Sequence, residues 1–306
     1  MHAIRAGEGD VFVSAGVECV SRFAKGSSDS WPDTQNPAFS TAVARTSARS
    51  GTGAPPWTDP RDDAELPDVY MAMGQTAENV AQLRGITRQM QDEFGVRSQN
   101  LAEKAIANGF WEREITPVTL PDGTVVRSDD GPRPGTTLER IATLNPVFRP
   151  DGTVTAGNCC PLNDGAAAVV VMSDSKAREL GVTPLARIVA TGVSALSPEI
   201  MGLGPVGSTQ RALANAGMTI DDIDLVEINE AFAAQVIPSY QELGIDLDKL
   251  NVNGGSIAVG HPFGMTGARI TTTLVNSLQF HDAQTGLETM CVGGGQGMAM
   301  IIERLS

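Results

Sequence analysis

A chain of 306 residues with 41% hydrophobic and 19% charged side chains has the size and composition of a globular protein of one or two domains. Its net charge of −14 argues against a general role on nucleic acid or on a membrane surface. No apolar run approaches membrane-spanning length, and Cys19, Cys159, Cys160 and Cys291 lack the spacing of a metal site or a disulfide scaffold.

Residues 1–7 read as the tail of a helix that stops at Gly7, with a turn at Gly9-Asp10. No signal-peptide core is present there, so a reducing, cytoplasmic setting is expected. Val11–Gly16 reads as a buried strand. Residues 24–66 are rich in Ser, Pro, Gly, Asp and Thr and predict an irregular excursion. Two helices follow, Met73–Leu83 and Thr87–Asn108. The second has a Thr start signal, Met90, Phe94, Leu101 and Ala105 on one face, and Gly109 as its stop. Ile115–Leu120 and Thr124–Arg127 flank a Pro121-Asp122-Gly123 turn and predict a hairpin. Ala166–Met172 is a continuous apolar run, which predicts a strand buried on both faces.

The second part of the chain alternates strand and helix, which predicts α/β layers. Ser175–Leu180 is helical, Ala186–Val193 a strand, and Ser208–Ala216 a helix ending at Gly217. Leu225–Ile228 is a strand, followed at once by Asn229 and a helix that carries Phe232, Val236, Tyr240 and Leu243 at helical spacing. Met265–Phe280 is a helix with Ile270, Leu274 and Leu278 four residues apart.

Between the last two helices lies Asn251-Val-Asn-Gly-Gly-Ser-Ile-Ala-Val-Gly-His-Pro-Phe-Gly-Met-Thr-Gly-Ala-Arg269. Its five glycines permit tight turns or close approach of a ligand. Pro262 pushes His261 out of the helical region. A histidine held in such a loop, just before a helix, suits chemistry better than packing.

Gly260-His261-Pro262 in this glycine setting resembles the thiolases, which make or cleave 3-ketoacyl-CoA. Asn229-Glu-Ala-Phe-Ala233 and Cys291-Val-Gly-Gly-Gly-Gln-Gly-Met-Ala299 agree, in the family's order and approximate spacing, and the resemblance covers essentially the whole chain. It implies an α/β thiolase fold, layered α-β-α-β-α from two similar halves plus a loop domain. The short echo between Asp10–Gly16 and Thr289–Gly295 fits two such halves. Residues 1–23 and 161–184 would be what is present of the first half, 24–160 the loop domain covering CoA, and 185–306 the second half. The first half then lacks its opening strands, so the chain is expected to be truncated at its N-terminus.

By the same resemblance His261 activates a nucleophilic thiol and then helps hold an enolate oxygen. Cys291 is the acid/base on the α-carbon, the Gly293 N–H is an oxyanion donor, and Asn229 orients a water in the other oxyanion hole. A helix cap is the alternative role for Asn229. Ala231 and Phe232 would line the acyl pocket, Phe232 serving equally well as a core residue. Arg133, Phe148, Cys160, Met201 and Met73 match positions near CoA. Cys160 departs from the usual Ser and is a weaker hydrogen-bonding group. Ala72 replaces a His often found in acetoacetyl-specific members, which leans toward longer acyl chains.

The resemblance implies CoA thioesters as substrates without metal or redox cofactor, a role in fatty acid metabolism such as β-oxidation, a homodimer or tetramer, and neither nucleic-acid nor membrane partners. The family's nucleophilic cysteine matches none of the four here. It would fall before Met1, so the chain as it stands is expected to be poorly active. A catalytically silent CoA-binding or scaffolding protein is the competing reading. Ketoacyl synthases use a second histidine where Cys291 stands and lack Asn-Glu-Ala-Phe, which sets them aside.

Overall fold

The computed structural model describes residues 1–22 and 34–306. Helix α1 (His2–Arg5) runs out at Gly7, which takes a positive φ, and leads to strand β1 (Val11–Glu18). A long excursion then carries α2 (Ser40–Ala48), α3 (Met73–Arg84), α4 (Arg88–Ala107), the hairpin β2 (Val118–Thr119) and β3 (Val125–Val126), and α5 (Leu138–Ile141). The chain returns as β4 (Gly165–Met172), antiparallel to β1, with Val11 opposite Met172 and Glu18 opposite Gly165. There follow α6 (Asp174–Leu180), β5 (Ala186–Ala195), α7 (Gly204–Ala216), β6 (Leu225–Ile228), α8 (Ala233–Leu243), α9 (Ser256–Val259), α10 (Thr266–Phe280), β7 (Thr285–Val292) and β8 (Gln296–Arg304).

The main sheet has the order β5-β8-β7-β6. Strands β6 and β7 are parallel, and such a pair needs a crossover, which α8 to α10 supply. One face of the sheet packs on α7 and the other on α10, and beyond α10 lie β1 and β4. The layers therefore alternate sheet, helix, sheet, helix. The predicted stripe Ile270, Leu274 and Leu278 is buried, and the last two cluster with Leu225 and Ile302. On the far face Val226, Ile228, Leu287 and Ile301 pack with Val236 and Ile237 of α8. The strand period thus sends Leu225 and Glu227 toward α10, and Val226 and Ile228 away from it.

Several expectations need correction. The run Ala166–Met172 is not buried on both faces. Its alternate residues, with those of β1, form an apolar sheet face that is open to solvent: Val13 is 67% exposed, Val17 72% and Val170 59%. Apolar side chains on both faces of a strand state what it can bury, not whether a second layer is there to bury it. The excursion is less irregular than its composition predicts, since residues 40–48 form α2; one buried residue, Ala42, explains why no apolar stripe announced it. Residues 24–33 of that reading lie outside the described residues.

The hairpin at Pro121-Asp122-Gly123 is present but short, with Gly123 at φ +86°. Helix α7 starts four residues earlier than expected, with Pro205 in its first turn, a position that needs no N–H. The helix after Asn229 starts only at Ala233, so Asn229 is not its cap. Helix α4 keeps its Thr87 cap and buries Phe94 and Ala105, while Leu101 is half-buried. The same helix also buries Gln91, Asp92, Ser98 and Gln99, of which Ser98 donates to Glu230 and Gln99 to the Ile257 carbonyl.

Candidate active site

His261 sits in the loop between α9 and α10. Gly260 has φ +95°, and a Cβ there would lie 2.3 Å from Asn163. The Asn163 carboxamide in turn accepts from the His261 N–H at 3.2 Å. β1 braces the other side of the loop. Gly264 N–H donates to Glu18 at 3.0 Å, and Gly16 lies so close that a Cβ would stand 1.8 Å from the Gly264 carbonyl. The glycines let the two segments touch backbone to backbone, which fixes the loop.

The imidazole makes two hydrogen bonds, and their partners determine its tautomer. Nδ1 lies 2.7 Å from Thr266 Oγ1, whose own hydroxyl donates to the Pro262 carbonyl at 2.8 Å. With that proton used, Thr266 can only accept, so Nδ1 carries the imidazole hydrogen. Nε2 lies 3.2 Å from Asn229 Nδ2 and accepts from the amide. Asn229 cannot present its oxygen instead, because Oδ1 accepts from Ser256 Oγ at 2.6 Å. Ser256 accepts from Arg269 at 2.6 Å, and Arg269 is paired with Glu227 at 3.0 Å. Burial, with a smaller contribution from Arg269, pushes the His261 pKa down to about 4. At neutral pH the ring is uncharged, with the Nε2 lone pair as its basic atom.

Asn229 and Cys291 come from the ends of parallel strands. Asn229 extends β6 by one residue, its N–H donating to Thr289 O at 3.0 Å, and Cys291 lies two residues further along β7. Ligands of open α/β sheets bind outside the carboxyl ends of their strands, where this pair stands. Cys291 is buried in a cluster with Met201, Ala231 and Phe232. The backbone of Cys160 donates to Ala231 O at 3.0 Å, and Cys159 forms a bridge with Phe232. Phe148 packs edge-on to Phe232, 6.2 Å between centroids, and lies against Gly74, beside Met73. Six of the predicted residues, Cys291, Met201, Ala231, Phe232, Cys160 and Phe148, are therefore joined in one continuous set of contacts. Burial pushes the Cys291 thiol up to about 11 and the Cys159 thiol likewise, and raises Cys160 further. These thiols hold their protons at neutral pH.

Gly293 and Arg133 are exposed. The Gly293 carbonyl accepts from the Gln296 amide, with open space where a Cβ would go. Arg133 lies on the excursion and is held by its backbone N–H to Gln99 at 2.8 Å; among the described residues its guanidinium has no salt-bridge partner. Cys19 follows β1 at the surface beside Asp164. No thiol hydrogen-bonds to His261 among the described residues, which include all four cysteines.

The model for the N-terminal domain of thiolase matches residues 1–175, and that for the C-terminal domain matches residues 182–304. The chain belongs to the thiolase family. It is 52% identical over 237 residues to an acetyl-CoA acetyltransferase of Thiocystis violacea, covering 76% of this chain and 60% of that relative. A 3-ketoacyl-CoA thiolase of Alcanivorax borkumensis is 45% identical over 312 residues, 99% of this chain and 73% of its own length. Among solved structures, the dimeric peroxisomal thiolase of Saccharomyces cerevisiae superposes with a TM-score of 0.86 at 36% identity, over 99% of this chain and 71% of that one. The thiolase fold expected from the sequence is thereby established, and the chain spans 60% of the length of the first of these relatives.

Within this thiolase site the sequence motifs left out several residues. Glu230, beside Asn229, is fully buried and accepts from Ser98, Asn251 and the Ile257 N–H, tying the excursion to the histidine loop. Thr266 and Ser256 orient the ring and the amide. The one available signal was a hydroxyl residue on each side of the Gly-His-Pro turn, close enough to fold back on it.

Proposed function

We propose that this chain carries the acid/base half of a thiolase-type acyl transfer: acyl-CoA and acetyl-CoA combine to 3-ketoacyl-CoA and free CoA, and the reverse reaction is thiolysis. The observation that carries the reading is the neutral His261 whose bare Nε2 faces Asn229, at the same strand ends as the buried Cys291 thiol. In the synthetic direction Cys291, once its proton has passed to the CoA thiolate that leaves the first substrate, takes a proton as thiolate from the methyl group of acetyl-CoA. The resulting enolate carbon attacks an acyl group, forming the new C–C bond and releasing the thiol that carried it. In thiolysis the protonated thiol returns that proton to carbon, a role for which a pKa raised by burial suits it. His261, Asn229 and the Gly293 N–H are assigned to the oxyanions and Nε2 also to proton removal from a thiol. Met73, Arg133, Phe148, Cys160, Met201, Ala231 and Phe232 are assigned to the CoA thioester. The excursion between β1 and β4 is assigned to covering CoA, and the assembly to a dimer.

None of the four cysteines is proposed as the nucleophile. Cys19 bonds to Asp164 rather than to His261, and among the described residues none of the other three hydrogen-bonds to His261. On this reading the thiol that accepts the acyl group is none of these four.

Two measurements test this. In D2O the protein is expected to exchange deuterium into the methyl group of acetyl-CoA, with loss of exchange in Cys291→Ala. Exchange no faster than buffer would favour the silent CoA-binding reading. After incubation with acyl-CoA, peptide mass spectrometry is expected to find none of the four cysteines acylated. An adduct on one of them that supports turnover would overturn the assignment of the nucleophile.

A further inference from the structure

Between the buried sheet and the imidazole runs one unbroken line of side chains: Glu227, Arg269, Ser256, Asn229 and His261. Every member except His261 is buried, and Ser256 and Asn229 are wholly so. Ser256 is the hinge of this line, because a hydroxyl has one proton. Arg269 is always a donor and occupies an acceptor site on Ser256 Oγ. The hydroxyl proton is therefore free for Asn229, and Asn229 must meet it with oxygen. The amide NH2 is then left to face His261.

We propose that Ser256 is a positioning residue for the acyl-transfer reaction: polarised by Arg269, it locks the Asn229 carboxamide with its NH2 toward His261 and so keeps Nε2 unprotonated. If the amide turned over, its oxygen would face the ring and favour a proton on Nε2. The same turn would bring NH2 against the Ser256 hydroxyl, which Arg269 already approaches as a donor. The Thr266–Pro262 pair acts from the other side of the ring. Ser256 is the first residue of α9, held between Gly255 and Ile257, and Glu230 anchors the latter by accepting its N–H at 3.1 Å. The hydroxyl is thus placed by backbone rather than by a mobile side chain. The inference rests on the acyl-transfer reading only for its use; the arrangement itself can be tested without turnover.

The test is long-range 1H–15N NMR on histidine-labelled full chain, in which three histidines give resolvable rings and His261→Gln assigns the signal. Wild type is expected to show His261 as a single tautomer, with hydrogen on Nδ1 and Nε2 at the bare-nitrogen shift. Ser256→Ala is expected to bring in the Nε2–H form, and Ser256→Thr to restore the wild-type pattern. Ser256→Cys, nearly the same size but a weaker hydrogen-bonding group, is expected to resemble the alanine variant. An unchanged His261 spectrum in both the alanine and cysteine variants, or an Nε2–H tautomer in wild type, overturns the proposal. Should acetyl-CoA exchange fail in wild type while the tautomer responds to Ser256, the acyl-transfer reading falls and the positioning role stands.

Discussion

Asn229 Nδ2 lies 3.2 Å from His261 Nε2, so the basic nitrogen of the site meets an amide donor and no carboxylate. Asn229→Asp replaces that donor with an anion at the same distance. An adjacent negative charge favours imidazolium. The midpoint of His261 titration is expected to move from about 4 to above the free value of 6.5, followed by ring shifts in NMR. A midpoint left below 5 would contradict the contact.

The depressed His261 pKa also makes stability depend on pH. The folded ring stays neutral down to about 4, whereas the unfolded chain takes up a proton below 6.5. Between these values the unfolded state binds more protons, so this contribution is complete above about 6.5 and is lost as pH falls toward 4. The loss is on the order of 3 kcal/mol if the whole shift is realised. Urea unfolding of wild type against His261→Gln at pH 7.5 and pH 5 is expected to show the difference between the two proteins shrink or reverse at the lower pH.

Glu288 gives the opposite slope. It stands beside Glu227 in the parallel register, is held by Thr271 at 2.9 Å through one oxygen, and among the described residues has no partner for the other. Burial raises its pKa to about 8, so its folded form holds a proton that the unfolded form loses above 4.5. Stability from this group is present at low pH and lost as pH rises through 8. Glu288→Gln removes the charge at nearly constant shape. It is expected to stabilise the protein by about 2 kcal/mol at pH 9 and by much less at pH 6, read from denaturant midpoints.

Gly16 and Gly264 touch backbone to backbone. Gly16→Ala would place a methyl 1.8 Å from a carbonyl oxygen, and no flexible side chain can yield there. A loss of about 3 kcal/mol is expected, together with displacement of the His261 ring signals, because β1 braces that loop. A fully stable variant with an unmoved ring would show that the contact is not tight.

The open face of β1 and β4 carries Val13, Val17 and Val170 at more than half exposure. Exposed apolar sheet surface of this kind associates. Replacing all three with Thr is expected to lower light scattering at high protein concentration without lowering the thermal midpoint by more than about 2 °C, since surface substitutions change stability little.

Much of this protein was legible from residue order alone. The alternation of apolar strands with helices bearing a four-residue stripe specified the layers around α10, because period and burial are local properties of a chain. Gly260-His261-Pro262, Asn229 and Cys291 were identifiable because their chemistry depends on residue type in a short context. The open outer face of β4 was not, since its apolar pattern is the same whether or not another layer lies on it. Nor was the choice between the two roles offered for Asn229, since only the start of α8 at Ala233 removes the helix cap. Only the tertiary structure decided which way its amide faces. That orientation depends on Ser256, 27 residues away in sequence, and on Arg269, and a hydrogen-bond direction passed through a hydroxyl exists only once the three side chains are brought together. The sequence by itself determined which residue types the site carries; the tertiary structure decided which group meets each nitrogen of His261, because Asn229 and Thr266 reach the ring from opposite sides only once α10 packs against β6.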